Sequence, residues 1–173
     1  MPLRSGIRSR THVKIVLLTH EREVERPTNT GVLALAGGRG GLVERRVWSR
    51  VAPDQSLAQM LEGNNVGLLY PLSESSESDG TEVVPIETCE QFVLLDATWQ
   101  EARKMYNRTA YLQKAPRIDL APSQASRFRL RRNQKSTGLC TVECVIEILR
   151  CKGRGELASD MERAFLAFNE QSN

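Results

Sequence analysis

Residues 91–105, QFVLLDATWQEARKM, constrain the fold most, because an apolar run, a carboxylate and a helix start follow one another directly. The run Phe92–Leu95 is typical of one buried strand. It ends on Asp96. Thr98 then occupies an N-cap position, and Glu101 follows at the spacing of a capping box. This order predicts an α/β fold with a ligand beyond the carboxyl end of the strand.

The same layout has a simpler interpretation. Asp and Thr are common at strand-to-helix turns, where the Asp carboxylate accepts backbone N–H groups. From these residues alone, the ligand site and the structural turn are about equally well supported.

The rest of the chain alternates short apolar runs with helical patterns, which predicts a mostly parallel sheet flanked by helices. A helix capped by Thr28 or Asn29 is expected to end at Gly37–Gly38, and another to span Gln55–Leu61. Four further strands are predicted at Val13–Leu18, Gly41–Trp48, Val66–Pro71 and Pro116–Leu120.

With 173 residues, the chain is expected to form a single domain. Residues 1–12 are predicted to be a basic tail, 72–90 an acidic surface loop and 156–173 a C-terminal helix. The basic tail has no apolar region of a secretory signal, and no run is long enough to span a bilayer. We therefore expect a cytoplasmic protein.

The four cysteines, Cys89, Cys140, Cys144 and Cys151, contain no C-x-x-C pair, and the chain has only two histidines. A zinc site is therefore not expected, and no metal is predicted. The last three cysteines share a helical face, which indicates packing as small apolar side chains.

Charge is unevenly distributed along the chain. Residues 72–101 contain eight acidic residues and no Lys or Arg, whereas residues 103–135 contain ten Lys or Arg and one acid. Such a basic block favours a polyanionic partner such as nucleic acid. Neutralisation of one face by the other within the fold is the alternative.

Asp96-Ala97-Thr98-Trp99, between an apolar strand and Ala102-Arg103-Lys104-Met105, resembles the signature of the DTW-domain family. Other family-like stretches follow in order, so the resemblance extends from about Val13 to about Leu149. His20–Thr30 resembles the family's "H…E…TNT" stretch, residues 126–131 its S-R-[FY]-x-[IL]-R segment and residues 139–144 its L-S-T-x-E-A loop. The chain differs in lacking an N-terminal cysteine cluster and in having Cys140 at the usual Ser position.

The resemblance implies a SPOUT-like fold, with a possible C-terminal trefoil knot, and tRNA-uridine aminocarboxypropyltransferase activity. S-adenosylmethionine would be the co-substrate and tRNA the partner. Asp96 would accept the uridine N3 proton, with Glu143 as second candidate. The expected donor-binding residues are Leu95, Thr98, Trp99, Gly138, Leu139, Cys140 and Thr141. The expected RNA-binding residues are His20, Asn29, Arg127, Arg129, Arg131 and Arg132, of which the four arginines lie on a predicted edge strand.

Two other functions remain open at this point. One is an RNA methyltransferase that uses the same fold and donor, and the other is a non-catalytic RNA-binding module. For Trp99 we predict that the indole fills the core rather than stacking on a base.

Overall fold

The computed structural model describes residues 12–38, 41–70, 82–118 and 140–170. Their strands are β1 (Lys14–Thr19), β2 (Val43–Val47), β3 (Val66–Leu69), β4 (Gln91–Asp96) and β5 (Arg117–Ile118). All neighbouring strands are parallel, and the order across the sheet is β2-β1-β4-β3-β5. The predicted α/β class with a parallel sheet is confirmed.

Helices cover both faces of this sheet. They are α1 (Gly31–Gly37), α2 (Gln55–Met60), α3 (Trp99–Asn107), α4 (Ala110–Gln113), α5 (Thr141–Cys151) and α6 (Gly155–Glu170), with a short 3-10 helix at Ile86–Thr88. Within the described ranges, no helix is both long and apolar enough to cross a membrane.

Strand β4 lies at the centre of the sheet because both of its faces are apolar. Phe92 and Leu94 belong to a core shared with α1, α5 and α6, whereas Val93 belongs to a second core shared with α2, α3 and α4. Side chains alternate between the faces of a strand, so a doubly covered strand needs an uninterrupted apolar run. The strand predicted at Phe92–Leu95 meets this requirement.

Register aligns the carboxyl ends of the two central strands. Thr19, the last residue of β1, pairs with Asp96, the last residue of β4. Both are polar and buried, with exposed fractions of 0% and 1%. The sheet therefore places two buried polar side chains side by side at one edge.

Several predicted boundaries need correction. Strand β2 is shorter than Gly41–Trp48, and the assigned N-cap of α1 is Thr30, although Asn29 Oδ1 does accept from the backbone N–H of Val32 at 3.1 Å. Within the predicted acidic loop 72–90, the described residues 82–90 include the 3-10 helix and the buried Cys89, so this part packs against the fold. Residues 71–81 lie outside the described residues.

The cysteine stripe is only partly buried. Cys140 is buried and Cys144 is partly buried, but Cys151 is exposed. The predicted packing role therefore does not extend to Cys151, the last residue of α5, because its side chain is exposed to solvent.

Arg117 corrects the interpretation of the basic block. It begins β5 with an exposed fraction of 0%, and its guanidinium lies beside the stacked rings of Tyr70 and Tyr106, 5.0 and 4.7 Å from their centroids. It also donates to the Tyr70 carbonyl and the Tyr106 hydroxyl, at 3.2 and 2.6 Å. Arg117 is thus a core cation and offers nothing to an external polyanion.

The predicted knot stays a prediction, because residues 119–139, which connect β5 with α5, lie outside the described residues. The strand predicted at Pro116–Leu120 is confirmed only for Arg117–Ile118.

We predict that Gly67→Ala in β3 destabilises the protein by about 1–3 kcal/mol, the usual cost of overpacking a core. A Cβ at this position would lie 2.5 Å from Cγ1 and Cδ1 of Ile118 on the neighbouring strand, and Ile118 is only 2% exposed. Chemical denaturation measures the change. Gly155→Ala is the control, because a Cβ there meets nothing within 4 Å; an equal loss in both variants would contradict the packing argument.

Candidate functional site

The carboxylate of Asp96 is the centre of the candidate site. Its Oδ1 accepts from Asn29 Nδ2 at 2.9 Å and from Thr141 Oγ1 at 2.8 Å. Its Oδ2 accepts from Thr19 Oγ1 at 3.0 Å, with Arg45 Nη2 at 3.5 Å. All four donors are side chains, so the simpler interpretation, a carboxylate that satisfies backbone N–H groups, does not describe this site.

Each donor comes from a different part of the fold. Thr19 ends β1, Asn29 precedes α1, Arg45 lies in β2 and Thr141 begins α5. Arg45 joins them further, because its Nη2 donates to Asn29 Oδ1 at 2.8 Å and its Nε to Thr19 Oγ1 at 3.2 Å. The carboxyl edge of the sheet is thereby connected to the starts of two helices. We call Asp96 and these four donors the Asp96 network.

Burial raises the pKa of Asp96 above its ordinary value, and the nearby carboxylate of Glu23 raises it further. Hydrogen bonds from Thr141 and Thr19 and the charge of Arg45 act in the opposite direction. The net direction is upward because a buried carboxylate loses its hydration. Asp96 is therefore a stronger base than an exposed aspartate.

Glu23 is a second buried carboxylate of the site, with an exposed fraction of 0%. The amide Nδ2 of Asn29 donates to Glu23 Oε2 at 3.0 Å as well as to Asp96 Oδ1. A single amide group therefore holds both carboxylates.

Arg26 connects this loop to α3. Its guanidinium pairs with Glu23 and also donates to both oxygens of Glu101, at 3.2 and 3.0 Å. Glu101 forms the predicted capping box with Thr98: Thr98 N donates to Glu101 Oε1 at 3.0 Å and Glu101 N donates to Thr98 Oγ1 at 3.2 Å. The capping box is confirmed, and the first turn of α3 is fixed to the loop before α1.

The start of α5 is fixed in the same way. Thr30 Oγ1 accepts from the backbone N–H of Val142 at 3.1 Å, and Cys140 N donates to Glu143 Oε1 at 3.0 Å. Glu143 is largely buried, with an exposed fraction of 9%. Both predicted acid–base residues are thus bound by the start of α5: Asp96 accepts from Thr141, and Glu143 accepts from the backbone N–H of Cys140.

Gly31 leaves room for the Asp96 carboxylate. A Cβ at residue 31 would lie 2.6 Å from Asp96 Oδ2 and 3.1 Å from Asn29 Oδ1. Any side chain there would displace the network, so the first residue of α1 has to be glycine for this geometry.

Among the predicted donor-binding residues, Leu95, Thr98, Cys140 and Thr141 lie around the carboxyl ends of the strands. Trp99 lies there too. It is partly exposed and belongs to neither of the two core clusters described above, so the prediction that its indole fills the core is not confirmed. The guanidinium of Arg103 lies 5.8 Å from its ring centroid. Gly138 and Leu139 lie outside the described residues.

The predicted RNA-binding residues separate into three groups. His20 is partly exposed and stacks on Trp48 with ring centroids 5.6 Å apart. Asn29 is 1% exposed and its amide points into the Asp96 network, which corrects its assignment to an RNA surface. Arg127, Arg129, Arg131 and Arg132 lie outside the described residues.

No group of three or more His, Cys, Asp or Glu side chains with the geometry of a metal site occurs in the described part of the chain. Burial raises the pKa of the Cys144 thiol to about 12 and that of Cys140 well above its ordinary value, with the Glu143 carboxylate adding to both. Burial and the neighbouring carboxylate therefore both favour the neutral thiol at these two positions.

Sequence reasoning missed Thr19, Glu23, Arg26 and Arg45. Thr19 directly follows a predicted strand, just as Asp96 follows another. Two polar residues at the ends of parallel strands could have predicted that the two side chains meet. Glu23 and Arg26 stand among several charged residues of one loop, and no pattern distinguishes the buried pair from the exposed ones. Arg45 is one of two adjacent arginines in a short strand.

The fold belongs to the parallel α/β class, in which ligands commonly bind beyond the carboxyl ends of the strands, and buried polar side chains gather at that edge here. Residues 3–173 match the family model of the DTW domain, so the chain belongs to the DTW family. This family is associated with tRNA-uridine aminocarboxypropyl transfer, and membership suggests a tRNA-modifying role for the chain. No solved structure matches the chain.

We predict that Asp96→Asn lowers the free energy of unfolding by about 2–4 kcal/mol. The new amide places N–H groups against donors that are already buried, and each unsatisfied donor costs about 1–3 kcal/mol. Chemical denaturation is the measurement. Asp54→Asn is the matched control: Asp54 caps α2 and pairs with Arg46 at a partly exposed position, so its loss costs about 1 kcal/mol or less. Similar losses in the two variants would contradict a stabilising Asp96 network.

We predict that Glu101 contributes stability that is lost in acid. Burial alone raises the pKa of Glu101, but the hydrogen bonds from Arg26 and from Thr98 N lower it from 4.5 to about 2. A folded-state pKa below the unfolded one stabilises the fold above about pH 4.5 and loses that contribution as the pH falls toward 2. The difference in Tm between wild type and Glu101→Gln should therefore be large at pH 6 and shrink toward pH 2.

The control for this measurement is Glu25→Gln. Glu25 is exposed in the loop that also holds Arg26. Its replacement should leave the acid dependence of Tm unchanged. A constant Tm difference for Glu101→Gln across the whole range would show that charge on Glu101 is not what stabilises the fold.

Proposed function

We propose that the protein transfers the 3-amino-3-carboxypropyl group of S-adenosylmethionine to N3 of a uridine in tRNA and releases 5'-methylthioadenosine. The observation that carries this proposal is the position of the family motif. Asp96-Ala97-Thr98-Trp99 lies at the carboxyl end of the central strand, where parallel α/β folds bind their ligands. A SPOUT-like arrangement of the chain belongs to the same proposal.

The reaction makes one bond and breaks one. Uridine N3 attacks the terminal carbon of the aminocarboxypropyl chain, the bond from that carbon to sulfur breaks, and its electron pair neutralises the sulfonium. The N3 proton is lost in the same process. Because the positive sulfur already activates the donor, the protein contributes mainly the positions of the two reactants and removal of the proton.

Residues near the Asp96 network would hold the donor. Thr141 and Cys140 begin α5 beside the carboxylate, and Leu95 and Trp99 flank it on the side of β4 and α3. The partly exposed indole of Trp99 would offer a flat surface to an adenine or a uracil ring. Gly138 and Leu139 are included by their place in the motif.

Proton removal is assigned to the Asp96 site. The raised pKa of Asp96 suits a general base, since a more basic carboxylate accepts a proton more readily. In the arrangement described above, both Asp96 oxygens already accept hydrogen bonds, so accepting the N3 proton requires one hydroxyl, Thr19 or Thr141, to turn away. Glu143 is the second candidate, one helical turn from Cys140.

The products formed with labelled S-adenosylmethionine test the proposal. A label in the carboxyl group should enter tRNA together with release of methylthioadenosine, and a label in the methyl group should not. Methyl label in the RNA would instead make the protein a methyltransferase. Binding of tRNA without any label transfer would make it a binding module.

The same assay tests Asp96. We predict that Asp96→Asn lowers the transfer rate by about 10²–10⁴-fold, the usual effect of losing an acid–base group. Asp54→Asn is the control and should keep its rate. The assay is run at a temperature where circular dichroism shows both variants folded. A rate within about threefold of wild type would remove Asp96 from the chemistry.

A further inference from the structure

One surface of the described chain carries positive charge without compensation. The exposed side of α3 and α4 presents four cations, Arg103, Lys104, Arg108 and Lys114. None of them forms an ion pair in the described ranges, and Arg103 only lies over the ring of Trp99. We call this surface the α3–α4 face.

Several cations elsewhere in the described chain pair with neighbouring acids. Lys14 pairs with Glu44 at 2.6 Å and Arg46 with Asp54 at 2.9 Å. On the opposite side of the sheet, Arg150 pairs with Glu162, and Arg163 with Asp160. Arg22 and Arg50 are exposed without an ion pair in the described ranges, but each stands apart from other such cations in the sequence. The α3–α4 face differs because four such cations are grouped on two consecutive helices.

No carboxylate of α3 or α4 neutralises the four cations. The only carboxylate in the two helices, Glu101, is turned toward Arg26 and engaged by it through two hydrogen bonds. Between the cations, the exposed residues are Gln100, Asn107, Ala110 and Gln113. None of them adds negative charge, and Gln113 Nε2 already donates to the backbone carbonyls of Tyr106 and Asn107, each at 2.9 Å.

The α3–α4 face also adjoins the site. Helix α3 begins three residues after Asp96, and Arg103 lies one turn beyond Trp99. From Arg103 to Arg108 the helix advances about 7.5 Å, at 1.5 Å per residue, which corresponds to about two phosphates of one strand. A polyanion lying along α3 would thus pass directly beside the strand ends.

The chemistry of the face fits nucleic acid better than protein. Stable protein interfaces need apolar or aromatic anchors at their centre. The exposed large apolar residues of the described chain are Val32, Val47, Val51 and Val83, and none of them lies on α3 or α4. The aromatic side chains of these helices that solvent reaches, Trp99 and Tyr111, are only partly exposed. A phosphate backbone needs only cations and polar donors.

We propose that the α3–α4 face docks the phosphate backbone of the RNA substrate and thereby brings a nucleotide to the Asp96 site. This inference rests on the proposed RNA substrate. The four cations position the strand and do not read its bases, so the face accepts RNA irrespective of sequence.

The test is a fourfold variant, Arg103→Gln, Lys104→Gln, Arg108→Gln and Lys114→Gln. Its matched control carries Lys14→Gln, Arg46→Gln, Arg150→Gln and Arg163→Gln, which removes the same charge from paired positions. Fluorescence anisotropy measures binding of labelled bulk tRNA between 50 and 200 mM salt. Four phosphate contacts correspond to a loss of about 10²-fold in affinity over this range. Between 50 and 200 mM salt, the tRNA affinity of the α3–α4 variant should therefore fall by about 10²-fold less than that of wild type. The affinity of the control should fall almost as much as that of wild type.

Two further measurements accompany the binding curves. Calorimetry should give the α3–α4 variant the wild-type affinity for S-adenosylmethionine, and Tm should stay within a few degrees of wild type. A salt dependence equal to that of the control would overturn the proposal. So would loss of binding to polyglutamate with unchanged binding to tRNA, which would make the face a site for an acidic protein.

Failure of this inference is distinguishable from failure of the proposed function, because binding is measured without turnover. If the face binds tRNA and no label is transferred, the docking surface stands and the transferase does not. If label is transferred and the salt dependence is unaltered, the transferase stands and the docking surface does not.

Discussion

Desolvation of the Asp96 carboxylate is the constraint on which the carboxyl edge of the sheet depends. Burying an ionised carboxylate costs several kcal/mol unless donors surround it. Here the donors are Thr19, Asn29, Arg45 and Thr141, and each must hold its place for the charge to be tolerated. The conformations of the loop before α1 and of the first turn of α5 therefore follow from one buried charge. The absence of a side chain at Gly31 belongs to the same requirement.

The residues of the family motif have different roles in this arrangement. Asp96 is buried and organises the site, Thr98 closes the first turn of α3, and Trp99 is partly exposed beside Arg103. The motif thus joins the interior of the sheet to the surface within four residues. The cations of α3 and α4, which form no ion pair within the described ranges, continue from the tryptophan, so the site and the proposed docking surface share one helix.

Much of the fold followed from local patterns. An apolar run as long as Phe92–Leu95 can be satisfied only by burial on both faces, and a capping box depends on residues three positions apart, so both were predictable. The partners of Asp96 could not be predicted, because hydrogen bonds between segments distant in sequence produce no local sequence pattern. Arg117 shows the same limit. In the sequence it belongs to a basic block, and only the two tyrosine rings around it reveal a core residue.

The Asp96 network also bears on how the chain folds. Thr19 and Asp96 are 77 residues apart, and Thr30 and Val142 are 112 apart, so these bonds close only after the parallel strands have found one another. Contacts of such long sequence separation form slowly, because the entropy of closing large loops is lost before they compensate for it. The site therefore exists only where these distant segments meet, and neither the first nor the second half of the chain contains all of its residues.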